Sequence, residues 1–241
     1  MNYEFENLAE GIVVCRGENH TFGTDAFLLT GFSCYREKDR VCDLGTGCGI
    51  IPLLMQRNRP PKEIYAVDLQ PEAIAQLNLA LENSTKNMAI TPVCTDLKEL
   101  WEGAPYGMLD LVVCNPPYKA NGAGILSAGA AQQIARHETE CTLDDICKAA
   151  AKLLNYHGRL CMCFRPERLA DVLNTMRANK IEPKRLRMVC KPPDSAPWLC
   201  LVEGKKCAKP FLQVEPSLFV RSGNEMTSEA AQICHFGENY L

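Results

Sequence analysis

The run Val41-Cys-Asp-Leu-Gly-Thr-Gly-Cys-Gly49 constrains the fold of this chain more than any other feature. A β-rich stretch, Arg40–Leu44, runs straight into three glycines. Residues 50–57 then read as a helix, with Pro52 near its start, where a missing N–H costs little. Glycines in such a turn let a ligand approach the backbone, and the N–H groups at the helix start face that ligand. The alternation continues. Glu63–Asp68 reads as a second strand, and Pro71 opens a helix with Ile74, Leu77 and Leu81 on one face. Residues 91–95 read as a third strand. Leu109–Cys114 is almost continuously apolar, which suits a central strand buried on both faces.

The second half keeps the pattern. A loop rich in Gly and Ala spans 120–131. Thr142 and Asp145 form a candidate capping box that opens a helix running to about Leu154, with Gly158 after its end. Residues 158–164 form a fifth strand, and Pro166 starts a helix with Leu169, Val172, Leu173 and Met176 on one side. Residues 185–190 and 198–203 are two more strands. Their connection, with its Pro-Pro-Asp-Ser turn, is too short for a parallel crossover, so they pair antiparallel. The expected fold is α/β: a doubly wound, Rossmann-like sheet of about seven strands, mostly parallel with an antiparallel terminal strand. No repeat or linker interrupts the 241 residues. They read as one domain, 1–241, with an N-terminal extension 1–37, a core 38–205 and a C-terminal extension 206–241.

Composition narrows the class. Hydrophobic residues are 46% and charged residues 23%, as in folded globular proteins, which excludes wholesale disorder, collagen and coiled coil. No apolar run approaches the roughly 18–20 residues needed to span a bilayer. The acidic start, Met1 to Asn7, lacks the apolar core of a signal peptide, so a cytoplasmic protein without membrane contact is expected. The 14 cysteines run from Cys15 to Cys234 with no CxxC pair, which suits small buried hydrophobes rather than a metal site or disulfides. Cys161 and Cys163, two apart on a strand, point the same way. The net charge of −3 hides an asymmetry: residues 159–221 carry 13 Lys/Arg against 6 Asp/Glu. Such a third is either a solvated basic face or a surface for a polyanion.

The glycine loop is selective about its ligand. A dinucleotide fingerprint needs a third glycine at position 50, where Ile50 stands, and no Gly-Lys-Ser/Thr follows for a phosphate loop. Asp43, just before the glycines, would repel a pyrophosphate and suits a cationic ligand. S-adenosylmethionine carries an ammonium and a sulfonium. Asp68, ending the second strand, can accept from ribose hydroxyls. Asp96, after the third, can accept from an adenine amino group, or only cap a short helix at 97–100. Asp43 can likewise only cap the turn.

The fourth strand runs into Asn115-Pro-Pro-Tyr118. Prolines remove N–H donors, so the loop offers acceptors, as a planar NH2 group requires. The Asn115 side-chain oxygen and the Pro116 carbonyl can each accept one N–H. Tyr118 can stack on a planar substrate group. No strong general base is needed; positioning and electrostatics carry the reaction. The bland alternative is a Pro-rich turn with tyrosine on its rim.

Together, Asp43 to Gly49, Asp68 and Asn115 to Tyr118 resemble class I adenosylmethionine-dependent amino-methyltransferases of the NPPY type over about residues 38–205. Three further segments make the chain similar to the bacterial tRNA1(Val) adenine-37 N6-methyltransferase family: His20-Thr-Phe-Gly-Thr-Asp25, Arg136-His-Glu138, and Leu201 to Lys206 with Lys209-Pro210. The resemblance implies that Asp43, Gly45, Gly47, Asp68 and Asp96 hold adenosylmethionine, with Thr24 and Asp25 closing over it. It implies that Asn115, Pro116, Pro117 and Tyr118 are catalytic, and that Tyr118, Arg136 and Lys209 contact substrate. His137 reads equally as structural. The implied partner is tRNA, whose adenine leaves its stack to enter the pocket, and the enzyme is expected to be a metal-free monomer. The chain's mild acidity departs from what a tRNA binder should show, and the basic third answers it in part.

Other readings remain. A protein glutamine N5-methyltransferase uses the same tetrapeptide, but typically carries a helical substrate domain before the glycine loop, where this chain has about 40 residues. A ribosomal RNA guanine-N2 methyltransferase usually has phenylalanine at the position of Tyr118. A DNA adenine methyltransferase needs a target-recognition domain. A module that binds adenosylmethionine without turnover would not need Asn115 and Tyr118.

Overall fold

A computed structural model describes residues 3–17, 21–116 and 141–234. The glycine-loop strand β3 (Arg40–Leu44) lies at the centre of one sheet. The chain first builds a hairpin, β1 (Glu4–Ala9) and β2 (Ile12–Arg16), and helix α1 (Thr24–Phe32). After β3 come α2 (Ile50–Met55), β4 (Glu63–Asp68), α3 (Pro71–Asn83), β5 (Ile90–Cys94) and β6 (Leu109–Cys114). Then follow α4 (Leu143–Leu153), β7 (Leu154–Phe164), a 3-10 turn (Pro166–Arg168), α5 (Leu169–Ala178), β8 (Ile181–Cys190) and β9 (Leu199–Lys206). The chain closes with β10 (Gln213–Val214), β11 (Leu218–Phe219), the hairpin β12 (Arg221–Ser222) and β13 (Glu225–Met226), and α6 (Ser228–Cys234).

The sheet order is β10-β8-β9-β7-β6-β3-β4-β5, with β11 also on β8. Seven of these strands are long, as expected, and all pairings except those of β9 are parallel. The antiparallel strand is last among the seven in sequence but not in space: β9 inserts between β7 and β8 and runs antiparallel to both. Strand order reverses at β3, whose neighbours are β4 and β6. That switch point opens a crevice at the strand C-termini.

Alternation along the strands builds two cores. Val41, Leu111, Val113, Cys161 and Cys163 face one way, onto α1, α2, α3 and α6. Cys42, Leu44, Val112, Leu160 and Met162 face the other, onto α4 and α5. Ten of the 14 cysteines are buried and all are free thiols, matching their reading as small hydrophobes. Thr142 and Asp145 form the expected capping box: the Thr142 hydroxyl accepts the Asp145 N–H at 3.2 Å, and the Thr142 N–H donates to Asp145 at 2.9 Å. Gly158 does not follow the helix end. It sits inside β7, because Leu154 already pairs with Leu109 and a bulge absorbs the register between them. A Cβ there would lie 2.9 Å from the Leu109 carbonyl.

Helix α1 is held at its C-terminus by a buried ion network. Glu203 of β9 accepts from Arg159 at 3.2 Å and from Arg185 at 2.9 Å. Arg159 donates to the Ser33 carbonyl at 2.6 Å and pairs with Asp39 at 3.2 Å. Arg185 reaches the Phe32 carbonyl and lies 4.4 Å from the centre of that ring. Cations at a helix C-terminus satisfy its last carbonyls and complement its dipole. Removing Glu203 leaves two largely buried guanidiniums without their shared carboxylate. Glu203→Ala is expected to cost about 3 kcal/mol, read as a lower urea midpoint at constant slope; an unchanged midpoint would show that the network adds nothing.

Candidate active site

The crevice at the switch point is a cavity of about 540 Å³, within the range of small-molecule sites. Gly45, Gly47, Asp43's neighbour Leu44, Asp68 and Asp96 line it. The loop after β3 is latched to β4: the N–H groups of Gly45 and Thr46 donate to the Val67 carbonyl at 2.8 and 2.9 Å. Gly47 has φ 55°, and a Cβ there would meet nothing within 4 Å. Gly49 is different, since a Cβ would stand 2.3 Å from Leu77 of α3. The first glycine leaves room for a ligand, and the second lets α2 and α3 approach.

Three carboxylates mark the ends of β3, β4 and β5. Asp43 is 1% exposed, and neither of its oxygens has a hydrogen-bond partner among the described residues. Burial pushes its carboxyl up to about 7; the nearby Thr46 hydroxyl pulls it partly down, without a well-formed hydrogen bond, and Asp68 raises it further. Asp68 accepts from the Gly47 N–H at 2.8 Å and from the Gln70 N–H at 2.9 Å, tying the glycine loop to the start of α3. Asp96 accepts from the Lys98 N–H at 2.9 Å and pairs with its ammonium at 3.3 Å. Residues 97–99 form a turn, not the short helix anticipated, and Asp96 caps it while its side still faces the cavity.

Asn115 and Pro116 complete the opposite wall. The Asn115 amide NH2 donates to Asp25 at 3.1 Å, and the Cys163 thiol donates to its oxygen at 3.0 Å. Asp25 therefore touches the end of β6. Thr24 starts α1 but is exposed and lines no part of the cavity. Lys209 is also remote: β9 runs antiparallel, so the turn after it lies at the opposite end of the strands. Pro117, Tyr118, Arg136 and the rest of that segment lie outside the described residues. The sequence reading missed Cys163, Leu69, Phe164 and Arg168, of which the last three line the cavity. Leu69 is exposed beside Asp68, and its place directly after a predicted ligand carboxylate was the one signal the sequence held.

Residues 21–178 match the family model of the methyltransferase small domain. The chain belongs to that methyltransferase family. Over 146 residues the methyltransferase is 33% identical to the tRNA1(Val) (adenine(37)-N6)-methyltransferase of Tolumonas auensis, spanning 60% of this chain and 59% of that protein. Over 183 residues, 75% of each chain, it is 28% identical to the protein of the same name from Parabacteroides distasonis. Its fold is shared with a solved "predicted O-methyltransferase" of Agrobacterium tumefaciens, at a TM-score of 0.70 and 17% identity over 88% of this chain and 95% of that one. M. jannaschii TYW2, solved in complex with AdoMet, has a TM-score of 0.55 at 14% identity, covering 84% and 85%.

The orphaned Asp43 carboxylate and Thr46 hydroxyl, beside open space at Gly47, fit a cationic ligand such as adenosylmethionine. Asp43 sets a pH dependence. Its folded pKa lies above the ordinary 3.8, so its contribution to stability is full below about pH 4 and is lost as pH rises toward 7. Asp43→Asn is expected to raise the stability of the ligand-free protein at pH 8, with the gain vanishing near pH 4. In the parent, adenosylmethionine binding at pH 6 should release a proton, because a cation favours the carboxylate. Calorimetry in buffers of different ionisation enthalpy reads this directly; no proton release at pH 6 would remove Asp43 from the ligand's surroundings.

Proposed function

We propose that this methyltransferase transfers a methyl group from S-adenosylmethionine to the exocyclic N6 of an adenine in tRNA. The observation that carries the reading is Asn115, held at the crevice with its amide NH2 engaged by Asp25. An amide whose nitrogen donates to a carboxylate presents its oxygen elsewhere, so the flip of Asn115 is set. That oxygen and the Pro116 carbonyl are acceptors for the two protons of a planar NH2. Relatives named tRNA1(Val) (adenine(37)-N6)-methyltransferase support adenine and tRNA as the acceptor, and position 37 of a valine tRNA as the site.

Adenosylmethionine supplies an electrophilic methyl group on a sulfonium. Asp43 and Asp68 hold its positive and ribose portions, and Asp96 with Leu69 holds its base. Asn115 and Pro116 align the acceptor nitrogen and stabilise the positive charge that develops on it. Tyr118 stacks on the adenine after it leaves the RNA stack. The glutamine N5 and guanine N2 readings need the same acceptors and are separated by product.

Labelled methyl transfer to unmodified total tRNA, followed by nucleoside analysis, tests the function. N6-methyladenosine is the expected product; label in a protein fraction and none in tRNA would move the reading to glutamine. Asn115→Ala should keep cofactor affinity and lower turnover about 10²–10³-fold. Asp25→Ala should lower kcat about tenfold or more through misplacement of Asn115, at unchanged adenosylmethionine Kd; a change in Kd alone would return Asp25 to the cofactor. Asp68→Ala should weaken adenosylmethionine binding by roughly 1.5–3 kcal/mol, measured by titration calorimetry.

A further inference from the structure

Among the described residues only Arg168 brings the basic charge of residues 159–221 to the crevice, and the fold shows where the rest goes. The carboxylates of this region are largely spent on particular arginines. Glu203 is shared by Arg159 and Arg185, Glu215 pairs with Arg185 at 2.8 Å, and Glu182 pairs with Arg177 at 2.7 Å. Asp171 pairs with Arg168 at 2.8 Å. Six lysines are left over: Lys180, Lys184, Lys191, Lys205, Lys206 and Lys209; Lys191 follows the far end of β8, and the Lys206 ammonium donates to the Leu154 carbonyl at 2.7 Å. No carboxylate among the described residues forms an ion pair with any of them.

Topology gathers all of them except Lys191 at one end of β8 and β9. Lys180 immediately precedes β8. Lys205 and Lys206 end β9, paired with Glu182 and Ile181 at the start of β8. The backbone then turns: the Cys207 N–H donates to the Lys180 carbonyl at 2.8 Å. Lys209 lies in that turn, and the Lys184 ammonium donates to its carbonyl at 3.2 Å. The same ammonium lies 5.5 Å from the ring centre of Phe211, which is 73% exposed. An exposed aromatic ring among lysines that share no carboxylate is the composition of a surface that tracks a nucleic-acid backbone and stacks a base.

The patch also lies on the right half of the sheet. β3, β4 and β5 carry the three acids of the cofactor crevice, whereas β8 and β9 lie beyond β6 and β7, on the side where Asn115 presents its oxygen. From β6 to β8 is three strand spacings, roughly 15 Å across the sheet, and the patch sits at the strand ends opposite the crevice, a further ~20 Å along, so it would meet a part of the RNA well away from a base that has entered the crevice.

We propose that Lys180, Lys184, Lys205, Lys206, Lys209 and Phe211 form a second contact surface for the tRNA substrate, gripping its phosphate backbone away from the methylated base. This rests on the tRNA reading above. Lys180→Gln/Lys205→Gln removes two charges without reversal, and Phe211→Ala removes the ring. Binding of an unmodified tRNA transcript is measured between 50 and 200 mM salt, apart from methyl transfer, with thermal midpoint and adenosylmethionine Kd as controls. The expected result for the double variant is weaker tRNA binding and a salt slope lower by about 2, with kcat at saturating tRNA and adenosylmethionine Kd unchanged. Phe211→Ala should weaken binding without changing the slope. Parent-like affinity and slope in the double variant would overturn the surface while leaving the function intact. A parent that binds tRNA and transfers no methyl would overturn the function, and the variants would still decide the surface. A parent that binds no tRNA overturns both. Loss of binding to anionic phospholipid vesicles, with tRNA binding unchanged, would reassign the patch to a membrane surface.

Discussion

The carboxylate of Glu203, buried between Arg159 and Arg185, fixes the element on which the site depends. Helix α1 is not part of the sheet, and its apolar residues alone would let it slide over the strands. The two guanidiniums reach past Glu203 to the carbonyls at its C-terminal end, so its axis is pinned from β7, β8 and β9 together. Its other end then delivers Asp25 to Asn115. Burial opposes the charge on both arginines, and the groups that face them, Cys161, Glu203 and Asp39 for Arg159 and Glu215, Glu203 and Cys34 for Arg185, outweigh it, holding both guanidinium pKa values above their ordinary value. An ion network in the second half of the chain thereby determines the orientation of one amide in the crevice.

A second coupling works on the cofactor side. Asp68 joins the glycine loop to α3 through two backbone N–H groups, so the ends of β3 and β4 move as one piece. Asp43 has no such partners among the described residues. The contrast is physical: one carboxylate is satisfied by the protein and shapes the loop, and the other stays buried, unpartnered and hard to ionise until a cation arrives.

Much of this was legible in the residues because it is local. Strand–glycine–helix, an acid at each strand end and Asn115-Pro116 after β6 are short-range patterns, and the parallel sheet follows from their alternation. What stayed hidden joins distant parts of the chain. Asp25 and Asn115 are 90 residues apart, and no periodicity links them. Cys163 read as core filler and is core filler, yet its thiol reaches Asn115, 48 residues away. The place of β9 was also invisible: a short turn says that β8 and β9 are antiparallel, but not that the later strand slots inside the earlier one. That insertion carries Lys209 to the end of the sheet remote from the cavity. The β7 boundary failed for a smaller reason, since Gly158 signals a helix stop and here serves a bulge.

The clamp on α1 has a consequence for how the molecule is made. Its contacts span 126 residues from Arg159 to Ser33 and 153 from Arg185 to Phe32. A ribosome delivers α1 early, but the guanidiniums and the carboxylate that secure it emerge only when β7, β8 and β9 have been synthesised. Until then the helix has an apolar face and no anchor, and the nascent chain has a cofactor crevice with one wall unfastened. Vectorial synthesis thus produces this wall well before the groups that lock it.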